Sequence, residues 1–173
     1  RHAIVTAGSC FAQHISNALI RRGYTWVNAE PAPADLSPES RLLSNYGVFS
    51  FRTGNIYTAA LLKQWVKWAL ADEQVPEEVW TNGDGRFLDP FRPAIEPDGF
   101  ASIEEVKTSR ASTLCAIREA LTKCDMFVFT LGLTEAWENI REGYVYPMCP
   151  GTVAGEFSPE FHKFRNYSYT EIL

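Results

Sequence analysis

The period of apolar positions changes several times along the 173-residue chain, and each change marks an element. Ala3 to Ala7 is an apolar run with little alternation, the pattern of a strand buried on both faces. Gly8 and Ser9 end it. Phe11, Ile15, Ala18 and Leu19 then fall on one helical face, and Gly23 follows Arg21 and Arg22 as a stop. Tyr24 to Val27 predicts a second strand, and Pro31 to Pro38 a proline-rich loop in which Ser37-Pro38 fits the cap and first residue of a short helix. Behind Thr53-Gly54-Asn55, the residues Leu61, Leu62, Trp65, Val66, Trp68 and Ala69 make a broad apolar helical face, read as core packing. Asn82-Gly83-Asp84-Gly85 separates two short extended runs and predicts a hairpin. Ser102 with Glu105 is a capping box for a helix that turns Val106, Leu114, Ile117 and Leu121 inward. Met126 to Leu131 is a continuous apolar strand ending in Gly132-Leu133-Thr134-Glu135, and Ser168 to Leu173 begins another helix.

Strands followed by helices, with strands too uniformly apolar for a half-exposed sheet, predict an α/β fold with a parallel sheet. Functional groups in such folds gather at the carboxyl ends of the strands, where Gly8-Ser9 and Gly132 to Glu135 both fall. Three core strands would leave an apolar edge open. Residues 1–173 are therefore read as one domain, truncated at its carboxyl end.

Sixteen Lys and Arg against twenty-one Asp and Glu give a net charge of −5, which argues against a nucleic-acid partner. No apolar run approaches the ~20 residues of a membrane-spanning helix. Cys10, Cys115, Cys124 and Cys149 form no C-x-x-C pair, and His2, His14 and His162 are scattered, so no metal site is expected. The thiols read as the reduced cysteines of a cytoplasmic protein.

Two readings of Ser9 remain open: a helix cap, or a nucleophile displayed at a strand end. Gly8 lacks the companion glycines of a dinucleotide turn, although Glu30 stands near the end of the second strand, and no phosphate-cradling loop occurs. A thiol phosphatase would need arginine six residues after Cys10, where Ser16 stands. A serine nucleophile requires oxyanion donors, and the Ser9 N–H, a Gly54-loop N–H and a side chain at Thr134 or Asn55 are available. The base is less evident. His14 lies to one side on the helix following Ser9, His2 opens the first strand, and His162 sits in a loop-like stretch. Arg92, Trp80, Trp137 and Tyr144 to Tyr146 are candidates for a polar-aromatic cleft.

Gly8-Ser9-Cys10-Phe11-Ala12 resembles the signature of the GSCFA family of bacterial proteins. The similarity continues through Gly54-Asn55-Ile56-Tyr57-Thr58, Asp89-Pro90-Phe91-Arg92-Pro93, Phe129 to Trp137 and Cys149-Pro150-Gly151-Thr152. That family looks like a branch of the SGNH, or GDSL-like, hydrolases. The resemblance implies a flavodoxin-like three-layer α/β/α sandwich and a serine esterase mechanism without cofactor. It places Ser9 as nucleophile, Gly54 as an oxyanion N–H, and Gly132-Leu133-Thr134 where the superfamily has Gly-x-Asn. Thr134 thus replaces the asparagine, with Asn55 as an alternative donor. The closing Asp-x-x-His motif is absent from these residues and expected beyond Leu173, which leaves His162 as the base candidate within them. The expected function is ester hydrolysis or acyl transfer on a small-molecule or glycan ester. The alternative is a non-catalytic carbohydrate-binding or biosynthetic accessory domain. No oligomeric state is implied.

Overall fold

A computed structural model describes residues 2–71 and 73–173. The first apolar run is strand β1 (Ala3–Gly8), followed by a 3-10 turn (Cys10–Ala12), helix α1 (Gln13–Arg21) and the short strand β2 (Thr25–Trp26). Helix α2 (Pro38–Leu43) starts at Ser37, whose side chain accepts the Ser40 N–H. Helix α3 (Ala59–Leu70) is capped by Thr58, which accepts from the Leu61 N–H. Strands β3 (Trp80–Thr81) and β4 (Phe87–Leu88) form the hairpin expected around Asn82 to Gly85. Helix α4 (Ile103–Lys123) begins where Ser102 accepts the Glu105 N–H. Strand β5 (Met126–Thr130) then leads to β6 (Glu135–Asn139), β7 (Tyr144–Tyr146), β8 (His162–Asn166) and a last turn of helix, α5 (Tyr169–Ile172).

The fold is α/β, with a parallel sheet in the order β2-β1-β5 flanked by helices. β1 is the middle strand, which is why it is the most uniformly buried one: Ile4, Val5, Thr6 and Ala7 all lie in the interior. Its pairing with β5 runs from Ile4 opposite Met126 to Gly8 opposite Thr130. Beyond Trp26 the loop of residues 48–56 takes over beside β1. The Ser50 N–H donates to the Thr6 carbonyl (3.0 Å) and the Ile56 N–H to the Gly8 carbonyl (2.8 Å). On its other side β5 has no partner among the described residues, and Met126 is exposed there.

Val5 and Ala7 share one core cluster with Trp65 and Trp68 of α3 and Ile117 and Ala120 of α4. The two tryptophans meet edge to face at 5.5 Å, as core residues. Phe11 departs from the expected inward helical face and is 78% exposed. It sits in the tighter 3-10 turn, whose three-residue period swings it off the stripe that Ile15 begins. The expected polar-aromatic cleft does not gather the residues named for it: Trp80, Tyr146 and Arg92 are buried, while Tyr144 and Val145 line a cavity of about 570 Å³ beside α3. Trp80 and Tyr146 pack in the core, and Tyr144 and Tyr146 both donate to Glu78. Trp137 packs against Phe157 and Phe164.

A second, antiparallel sheet in the order β7-β6-β8 was not evident from the apolar pattern. It docks on α3 through Gln64, whose side-chain amide donates to the Val145 carbonyl (2.9 Å) and accepts the Val145 N–H (2.7 Å). The glutamine thereby pairs the edge of β7 as a neighbouring strand would.

The core also holds charges. Asp89 is fully enclosed and accepts from Arg92 Nε (2.8 Å) and Arg110 Nε (3.1 Å). Arg92 in turn donates to the Arg52 carbonyl (3.0 Å), Thr113 (2.6 Å) and Ser109 (3.0 Å). Glu30, just past the second strand, accepts from the Arg52 N–H (2.8 Å) and Thr113 (2.9 Å). Burial alone would raise the Asp89 pKa, but the guanidiniums of Arg92 and Arg110 outweigh it and hold it below the usual carboxylate value. A depressed folded-state pKa adds stability above the unfolded value of ~3.9 and loses it as pH falls through the folded value. Acid unfolding is thus expected to begin below about pH 4 and to weaken in its pH dependence in Asp89→Asn. Arg92→Met, which strands the carboxylate, is expected to cost about 3–5 kcal/mol at neutral pH, read by urea denaturation.

Candidate functional site

Ser9 leaves the carboxyl end of β1 in an extended conformation, at the N-cap position of the 3-10 turn. Its side chain makes no capping hydrogen bond. The hydroxyl instead lies 3.3 Å from Thr130 Oγ1, at the end of the neighbouring strand, and the residue is 5% exposed. The Ser9 N–H is also committed to Thr130, reaching its carbonyl at 3.3 Å and its hydroxyl at 3.2 Å. That N–H is therefore engaged within the sheet, in contrast to the oxyanion role expected of it. Helix starts leave donors without an intrahelical partner, so the N–H groups of Cys10 and Phe11 stand next in line.

Two glycines let the strands close this tightly. Gly8 has φ +142°, and a Cβ there would fall 2.4 Å from Thr130 Oγ1 and 2.7 Å from the Thr130 carbonyl oxygen. A Cβ on Gly132 would fall 2.7 Å from Ser9 Cβ and 3.2 Å from the Tyr57 ring. Gly132 is thus the wall against which Ser9 rests. It is held by the Tyr57 carbonyl, which accepts from the Gly132 N–H (3.0 Å) and the Leu133 N–H (2.9 Å).

The loop beside β1 brings Gly54 to Tyr57 to the same sheet edge, through the Ile56–Gly8 hydrogen bond described above. Gly54 is buried with φ +65°. The Asn55 side-chain oxygen accepts from Gln13 Nε2 (3.1 Å), an orientation that makes the Asn55 amide nitrogen a donor on the side of the Tyr57 hydroxyl. Burial and the nearby Cys10 thiol push the Tyr57 phenol upward, against the opposing influence of Asn55, so Tyr57 is neutral at pH 7.

The structure therefore groups Ser9, Gly54, Asn55 and Gly132 at one carboxyl edge. Thr134 lies at that edge too, but its hydroxyl donates to Asn166 Oδ1 (2.7 Å). His162 is not brought to Ser9. It pairs with Asn139 at the far end of β6, while Glu135 at the near end pairs with Asn166, about 13 Å away along the strand. Its Nδ1 accepts the Ser158 N–H (3.1 Å), and its ring packs between Tyr146 and Phe157. His14 is exposed on α1, and His2 lies 3.8 Å from Asp125 at the opposite sheet end. No group of three or more His, Cys, Asp or Glu among the described residues is arranged to hold a metal ion.

The family model for the GSCFA family matches residues 3–173. The chain belongs to the GSCFA family. No curated protein and no solved structure matches it. In this GSCFA chain the family's pentapeptide, Gly8 to Ala12, spans the strand end, the site serine and the 3-10 turn. All four cysteines are free thiols, Cys10 exposed among them, and no described helix is long and apolar enough to cross a membrane.

Thr130, Tyr57 and Gln13 were given no site role from the sequence. Thr130 had a signal, as the one polar residue closing the apolar run from Met126 to Phe129. The contributions of the Tyr57 carbonyl and of Gln13 depend on tertiary approach. Gly8→Ala is expected to destabilise the GSCFA chain by about 1–3 kcal/mol, because it combines a disfavoured φ with a clash against backbone. Gly85→Ala, at a positive φ but with no atom within 4 Å, is the control that isolates the backbone part of that cost in denaturant titrations.

Proposed function

We propose that the GSCFA chain carries a serine-dependent acyl site, for ester hydrolysis or acyl transfer of the SGNH type on a small-molecule or glycan ester. The observation that carries this reading is the orientation of Ser9. A serine at an N-cap ordinarily turns its oxygen onto the following N–H groups. Ser9 does not, and holds its hydroxyl at the strand ends beside Gly132. In the proposed reaction its Oγ attacks the acyl carbonyl, the alcohol departs, and water or a second alcohol takes the acyl group from the serine.

The developing oxyanion would be met by the Cys10 N–H, the Gly54 N–H and the Asn55 amide. Asn55 is favoured over Thr134, whose hydroxyl already has an acceptor in Asn166. The Ser9 proton needs a base, and Thr130, its observed hydrogen-bond partner, is only another hydroxyl. No histidine among the described residues is hydrogen-bonded to Ser9. That favours a second reading, a carbohydrate-binding or accessory domain retaining the scaffold without turnover.

Fluorophosphonate labelling of the full-length protein separates the two. Labelling that is lost in Ser9→Ala and retained in Cys10→Ser is expected for the acyl site. Absence of labelling in a folded sample would sink it in favour of the binding domain. Where turnover is measurable, Asn55→Ala is expected to lower kcat by about 10²–10³-fold, and Thr134→Val by less.

A further inference from the structure

The hydrogen bonds around Ser9 leave two places for its hydroxyl. One is the turn that follows. There the Ala12 N–H takes the Ser9 carbonyl (2.8 Å) and the Gln13 N–H takes the Cys10 carbonyl, so the N–H groups of Cys10 and Phe11 have no acceptor within the turn. A serine at this N-cap position, with the extended backbone that Ser9 has (φ −73°, ψ 174°), ordinarily turns its oxygen onto the N–H of the second or third turn residue, here Phe11 or Ala12. The other place is the one observed, 3.3 Å from Thr130 Oγ1. Thr130 is suited to hold it there. It closes β5 directly opposite Gly8, and its Oγ1 stands 2.4 Å from where a Cβ on Gly8 would fall, so only glycine leaves it room. A β-branched side chain has few rotamers, which fixes the hydroxyl. The same oxygen accepts the Ser9 N–H (3.2 Å), so Thr130 engages Ser9 by backbone and side chain together.

We propose that Thr130 is a positioning residue of the acyl site, whose hydroxyl keeps the Ser9 hydroxyl off the turn. The inference rests on the acyl-site reading and adds what keeps its serine available. The hold has two consequences. Ser9 Oγ stays at the strand ends beside Gly132. The Phe11 N–H, which a capping serine would occupy, stays free beside that of Cys10 for a ligand oxygen. The cap and the Thr130 contact each have the strength of one neutral hydrogen bond, so removing the Thr130 hydroxyl tips the serine onto the turn.

The test uses the full-length protein with Thr130→Val, which removes the hydroxyl and keeps the branched shape, and Thr130→Ser, which keeps the hydroxyl. Three-bond couplings across the Ser9 Cα–Cβ bond report its χ1, and hydrogen exchange reports the Phe11 N–H. In the wild type the couplings are expected to give a χ1 off the cap. A capping Ser9 there would overturn the inference, whether or not Thr130→Val folds. In Thr130→Val, χ1 is expected to move to the capping rotamer and the Phe11 N–H to gain protection. A fluorophosphonate concentration series then separates probe affinity from the rate of Ser9 modification. Thr130→Val is expected to lower that rate about 3–10-fold at unchanged affinity, and Thr130→Ser to return it to within about twofold of wild type. An unchanged or faster rate in Thr130→Val, where the wild type labels at Ser9, would overturn the positioning role and leave the acyl site. A move of χ1 in Thr130→Val, where the wild type does not label, would uphold the hold of Thr130 on Ser9 and remove the acyl site.

Discussion

A single buried carboxylate organises much of the fold. Asp89 has no water to solvate it, so it must be met by donors, and Arg92 and Arg110 meet it from two directions. Each guanidinium then has further donors to satisfy, and these reach outward. Arg110 takes the Glu78 carbonyl, which anchors the segment leading into β3. Arg92 takes the Arg52 carbonyl and the α4 hydroxyls of Ser109 and Thr113. Satisfying one charge therefore fixes α4 against the loop that runs beside β1. That loop supplies Gly54, Asn55 and the Tyr57 carbonyl, so the site inherits its rigidity from an ion network it does not touch.

The second constraint is steric. β1 and β5 approach so closely at their carboxyl ends that no Cβ fits at Gly8, and none fits at Gly132 against Ser9. On the proposed acyl-site reading this closeness would matter, since a nucleophile must be held within a fraction of an ångström of its working position. It also determines which donors are available. By drawing Thr130 onto the Ser9 N–H, the sheet occupies the donor that a nucleophilic serine would ordinarily turn to the oxyanion. The turn that follows then becomes the source of N–H groups.

Much of this was legible in the residues. The buried run Ala3 to Ala7 and the run ending at Leu131 announced a parallel sheet, because strands covered on both faces lose their alternation. Their ends marked one shared edge of that sheet, where Gly-Ser and Gly-Leu-Thr close both runs. The antiparallel sheet was not legible, and the reason is physical. Its strands β6 and β8 read Glu-Ala-Trp-Glu-Asn and His-Lys-Phe-Arg-Asn, with too few apolar positions to mark a face. They are held by cross-strand pairing, and the sheet is docked by Gln64 on β7, neither of which leaves a local period. Arg92 was misread for a related cause. An arginine in sequence looks like a surface or ligand group, and only the enclosed Asp89 shows it to be core.

The same logic bears on what His162 does. An imidazole in a loop-like stretch looked free to serve Ser9, yet the pairing of β8 with β6 carries it to the end of the sheet remote from Gly132. There it meets Tyr146, whose hydroxyl is tied to Glu78, and Glu78 is the residue whose carbonyl Arg110 holds. His162 thus joins the chain of contacts that begins at Asp89, on the structural side of the molecule. The serine edge is left with hydroxyls, amides and apolar side chains. On the proposed acyl-site reading, deprotonating Ser9 calls for one more group than the described residues bring to it. A base reaching the serine hydroxyl would compete with Thr130 for it.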